Sequence, residues 1–158
     1  MFKNAVGVIV CLIVASLSVP CGAAEKVDEA GIRGAALDYL EGWYTGDAER
    51  MERALHPDLA KRIVRVDPKG KWDRVENMSA MTLVQYTRQG YGKKVPVDER
   101  VAEIKILDVY DNAATVRAEA RDWVDFLHIG KVNGEWKIIN VLWVMKPKPQ
   151  EAQEPTGD

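Results

Sequence analysis

The sequence predicts an α+β fold, with helices in the first half of the chain and a meander of antiparallel strands in the second. Two periodicities carry this reading. Within the run from Val97 to Met145, Val116, Ala118 and Ala120 alternate with Arg117, Glu119 and Arg121, the period-two pattern of a half-buried sheet. Between Asp28 and Thr45, Ile32, Ala35, Ala36, Tyr39, Leu40 and Trp43 recur every three or four residues and form one apolar stripe. A third observation fixes the end of the meander. Asn133-Gly134 is the preferred pair for a two-residue type I′ hairpin, whose central positions both need positive φ.

Each element has its own local cause. Asp28 is placed to cap the first helix and Gly46 to close it. Asp47 then caps a second, short helix through Met51 and Leu55, which ends at His56-Pro57 because the residue before proline is pushed out of helical geometry. Lys61 to Val66 reads as one short strand, stopped by the turn signature Asp67-Pro68-Lys69-Gly70. Ala80, Leu83, Val84 and Thr87 mark a third helix, capped by Ser79 or Asn77, with Gly90 and Gly92 beyond its end. The four strands of the meander follow. Ile104, Ile106 and Val109 lie on the first, which turns at Tyr110-Asp111-Asn112. Val116 to Ala120 make the second, Phe126 to Val132 the third and Trp136 to Val144 the fourth.

Composition bounds the function. A chain of 158 residues holds one domain's core, and a formal net charge of −2 leaves no basic patch of the kind a phosphate backbone requires. Nucleic acid is therefore not an expected partner. Lys3, the apolar run Ala5 to Val19 and the small residues Gly22-Ala23-Ala24 form the pattern of a cleaved secretory signal. Residues 1–24 are accordingly expected to be removed, 25–146 to form the domain, and 147–158, rich in proline, lysine, glutamine and glutamate, to be a disordered tail. The expected location is periplasmic or secreted, with no membrane contact after cleavage. Both cysteines, Cys11 and Cys21, fall within the leader, so a mature chain has neither disulfide nor thiolate chemistry. His56 and His128 have no metal-ligand spacing, and no phosphate-cradling glycine loop or G-x-S-x-G occurs. No metal and no cofactor is expected.

A curled sheet wrapped by three helices leaves a conical pocket between the sheet and the first helix. In its order of elements the chain resembles the nuclear transport factor 2-like (NTF2-like) superfamily. Two segments are more specific: Gly42-Trp43-Tyr44-Thr45-Gly46-Asp47 running on to Ala54-Leu55-His56-Pro57-Asp58, and Asp125-Phe126-Leu127-His128 running through Gly134-Glu135-Trp136-Lys137-Ile138 to Trp143. Together they resemble the family named for lumazine binding, close to the polyketide-cyclase-like branch. The resemblance covers Glu25 to about Lys146. It implies three helices on a curved four-stranded meander plus one short strand, and a small, largely apolar ligand. A homodimer formed through the sheet is a further possibility.

The resemblance also singles out residues. In the steroid-isomerase relatives of this superfamily a tyrosine at the place of Tyr39 donates to a substrate oxygen; the other reading is a core tyrosine bonded to the backbone. His128 stands where those relatives carry an acid, and as a partner of Phe126 and Val132 on one face it would point into the cone as base or donor. Asp67 loosely matches the isomerase base but reads more simply as a turn residue. Asp122 continues the face of Val116, Ala118 and Ala120, where burial would suit a general base. Alternatively, Arg121 to Asp125 is itself the turn and Asp122 a solvated rim residue. The leading expectation is an exported binder of a small flat molecule, its pocket walled by Tyr39, Trp43, Tyr86, His128 and Trp143. An enzyme moving a proton next to a carbonyl, with Tyr39, His128 and Asp122 as its catalytic groups, is the second. A non-catalytic dimeric interaction module is the third.

Overall fold

The computed structural model describes residues 28–67 and 69–147. The expected leader, with Cys11 and Cys21, and the expected tail from 148 onward lie outside the described residues. The helices are α1 (Glu29–Thr45), α2 (Ala48–Ala54) and α3 (Ala80–Arg88); the strands are β1 (Leu55–Arg65), β2 (Arg74–Ser79), β3 (Glu103–Tyr110), β4 (Ala113–Glu119), β5 (Trp123–Val132) and β6 (Glu135–Met145). Two short 3₁₀ turns, Tyr91–Lys94 and Val97–Glu99, join α3 to β3. Among the described residues no helix is long and apolar enough to cross a membrane.

The caps work as the side chains dictate. Asp28 accepts from the Gly31 N–H, Asp47 from Arg50 and Ser79 from Thr82, each satisfying a donor that the helix start leaves free. Gly46 closes α1 in the left-handed region at φ 71°, and Asn133 and Gly134 turn the last hairpin at φ 52° and 85°.

All six strands form one sheet in the order β2-β1-β6-β5-β4-β3. The β3-to-β6 meander is antiparallel as expected, while β1 lies parallel to β6 and antiparallel to β2. The strand count is a correction: where one short strand was expected, an eleven-residue β1 and an additional β2 stand. Strand β2 escaped notice because it is a charged edge. Its Glu76 binds both Arg65 and Arg74, so its stability rests on pairing rather than on an apolar alternation.

One face of the sheet packs on the helices. Ile32, Ala36 and Leu40 of α1 meet Val116, Leu127, Ile138 and Val141, all fully buried. Trp136 locks this layer to the start of α1, donating its indole N–H to Asp28 at 3.0 Å. A bulge opposite His128 and Ile129 leaves Ile139 unpaired. It shifts the phase of β6, so that Ile138 and Val141 both face inward and Trp143 follows them.

Candidate functional site

A cavity of about 100 Å³ opens between α1, α3 and the sheet. Tyr39, Met51, Lys61 and Leu83 are its buried floor; Trp43, Met78, Trp123 and Trp143 are its half-buried rim. The walls are thus almost wholly aromatic and aliphatic, with one cation among them. Trp43 and Trp123 meet edge to face with ring centroids 6.1 Å apart, which fixes both rings without narrowing the mouth between parallel planes.

The register explains how a lysine arrives at the floor. Leu59, Lys61 and Ile63 share the inward phase of β1, and Asp125, Leu127 and Ile129 share that of β5. Trp143 lies between them, paired with Ile63 on one side and Asp125 on the other. Lys61 reaches diagonally over the Trp143 ring, 4.7 Å from its centroid, to form an ion pair with Asp125. Lys61 is 5% exposed and Asp125 0%.

The pair is held by two further side chains. The Tyr39 hydroxyl donates to Asp125 at 3.0 Å and accepts from Lys61 at 2.7 Å, while the Trp123 indole donates to Asp125 at 2.7 Å. Asp125 therefore accepts from three donors, and no buried side-chain polar atom among the described residues is left without a partner. Burial pushes the Lys61 ammonium below its ordinary pKa, against the pull of the Asp125 charge. Burial, then the Asp125 charge and hydrogen bond, drive the Tyr39 phenol well above its ordinary value, so it is a neutral donor. Together the floor carries one positive and one negative charge, and a phenol to link them.

Residues 27–144 match the family described as "Putative lumazine-binding". The chain belongs to this family. Solved structures add the fold. An NTF2-like protein from Shewanella baltica is 22% identical, with 76% of this chain and 94% of that one covered at a TM-score of 0.62. An NTF2-like protein from Methylobacillus flagellatus is 20% identical over 77% and 97%, at 0.58. A ketosteroid isomerase-like protein from Erwinia carotovora atroseptica is 16% identical over 75% and 96%, at 0.51. No curated protein matches.

Within this family member the expected site residues divide. Tyr39, Trp43 and Trp143 come together at the cavity. His128 does not: it is exposed on the opposite face of the sheet, where its Nδ1 meets the Asn140 amide at 3.2 Å. The expected inward face of Phe126, His128 and Val132 is off by one residue; Asp125, Leu127 and Ile129 point in instead. Asp122 sits in the β4–β5 turn beside Arg121, its side chain 45% exposed, as a rim residue; the turn is shorter than the expected Arg121 to Asp125, because β5 begins at Trp123 and buries Asp125. Tyr86 faces outward from α3 and packs on Tyr91 at 5.1 Å, away from the cavity. Asp67 accepts from the backbone N–H groups of Lys69 and Lys71 and organises the turn before β2. Missed in the sequence were Lys61, Asp125 and Trp123. The signal for the first two was present: a charge in phase with apolar neighbours on one strand, and its opposite likewise on another.

Proposed function

We propose that this chain binds a small, flat, largely apolar molecule in the cavity walled by Tyr39, Trp43, Lys61, Trp123 and Trp143. The observation that carries this reading is the Lys61–Asp125–Tyr39 set at the floor of an aromatic cleft. A few convergent polar groups within apolar walls are what small-molecule sites offer. Two of the three Lys61 donors are taken by Tyr39 and Asp125, and the ammonium lies over the Trp143 ring. The scale also supports a compact ligand. A dry cavity of roughly 150 Å³ accepts one benzene ring, so about 100 Å³ with a partly open mouth takes in part of one ring and leaves the rest of the ligand at the rim. A bicycle such as the lumazine of the family's description would enter in that manner.

Proton transfer next to a carbonyl is not part of this reading, because its expected bases, His128 and Asp122, stand outside the cavity. We further propose that residues 1–24 are a leader removed on export, with the mature domain periplasmic or secreted. We also propose that a second copy of the chain docks against the outer face of the sheet. There Val64, Phe126, Leu142 and Val144 are exposed on neighbouring strands, and sedimentation at rising concentration would report the dimer. Native mass spectrometry of full-length protein expressed with its own first residues tests the binding and the export together. The expected species lacks about 24 residues and carries one small adduct that Trp143→Ala loses. An unprocessed chain would sink the export reading; an adduct that Trp143→Ala retains would sink the choice of cavity.

A further inference from the structure

We infer that the cavity selects an uncharged ligand and rejects carboxylates and ammonium compounds of the same shape. This rests on the binding reading above and specifies its ligand class. The argument is one of charge balance. The one charged residue that lines the cavity already has its counter-charge inside the protein. Lys61 is paired with Asp125. Arg65, whose guanidinium lies 5.4 Å from the Trp143 ring, is not among the lining residues and shares Glu76 with Arg74 outside the cavity. Tyr39 is kept neutral by the causes given above. An anion entering would therefore bring a charge for which no free cation waits, and would lose its own hydration among indole rings. A cation would meet the same penalty, since Asp125 has spent its oxygens on Lys61, Tyr39 and Trp123.

A neutral ring escapes both costs and gains the apolar contact of the aromatic walls without disturbing the pair behind them. The expected order of affinity for single-ring probes is thus the two neutral compounds first and the two ions last.

The test titrates benzamide, toluene, benzoate and benzylammonium into the intact protein, following tryptophan fluorescence and calorimetric heats. Benzamide should bind roughly tenfold or more tighter than benzoate and benzylammonium, since an unpaired charge in a dry site costs at least that factor. Asp125→Asn removes the counter-charge and leaves Lys61 in excess, so it should shift the ratio toward benzoate by a similar factor; Lys61→Met should shift it toward benzylammonium. Benzoate or benzylammonium equal to benzamide in the parent protein overturns the inference while leaving the cavity a binding site. Silence from all four probes overturns the binding reading and the inference with it. The parent series decides the matter even where a variant fails to fold.

Discussion

Replacing Asp125 by asparagine conserves volume and removes one charge from the floor of the cavity. In the parent, Lys61 is 5% exposed and its ammonium is balanced by that carboxylate alone. After the change a buried lysine has no counter-charge. The asparagine must also present an amide N–H₂ toward one of three donors, those of Lys61, Tyr39 and Trp123. Breaking one side of a buried pair costs about 3–5 kcal/mol. At about 4 °C per kcal/mol for a domain of this size, the melting temperature should fall by roughly 12–20 °C. The loss should also depend on pH. Without Asp125 the Lys61 pKa, already lowered by burial, loses the interaction that raises it. A lysine depressed in the folded state favours folding above its unfolded pKa and loses that contribution as pH falls. The deficit of the variant should therefore shrink as pH rises from 6 toward about 9–10. Differential scanning calorimetry of the parent, Asp125→Asn, Lys61→Met and the double variant measures the effect and the coupling. A coupling of about 2 kcal/mol or more is expected, since each single change strands the other charge. A variant within about 1 kcal/mol of the parent, with no coupling, would refute the buried pair, because surface pairs have that magnitude.

Other outcomes follow from the packing. Trp136→Ala should destabilise by about 3–5 kcal/mol, because it empties a buried site and breaks the bond to Asp28; a parent-like denaturant midpoint would contradict the α1 docking. Asp28 titrates below its usual pKa, chiefly because the Gly31 N–H and then the Trp136 indole bind its carboxylate. A lowered carboxylate pKa contributes stability at neutral pH that is lost as pH falls through the folded value. Asp28→Asn keeps a capping oxygen and should flatten the decline of melting temperature between about pH 5 and pH 3. Gly92 packs so closely on Trp43 that a Cβ there would run into its carbonyl oxygen and indole ring. Gly92→Ala should cost about 1–3 kcal/mol and displace a rim residue, read as a lower melting temperature together with altered Trp43 fluorescence.

Much of the fold was legible because its signals are local. The stripe of α1, its two caps and the Asn133-Gly134 turn each need only a few consecutive residues, and each stands where the spacing places it. What failed was long-range. Strand β2 is stabilised by a partner and by charge pairs across it, so no alternation marks it. The phase of β5 was lost because Asp125 is polar and Phe126 aromatic, which invites the opposite register. The lysine across the sheet, with the Tyr39 and Trp123 donors, makes the buried acid tolerable. At the site, Tyr39, Trp43 and Trp143 were readable as aromatic faces of amphipathic elements. Lys61 and Asp125 are 64 residues apart and acquire meaning only when β6 brings their strands together.

The indole N–H resonances of the five tryptophans give the most direct test of the binding cavity. Trp43, Trp123 and Trp143 line it, whereas Trp72 is 84% exposed and Trp136 is bonded to Asp28, so two internal controls are built in. In a heteronuclear NMR titration with benzamide, the first three signals should move together with one dissociation constant while the other two stay fixed. Movement confined to Trp72 or Trp136, or no movement at saturating probe, would contradict the account.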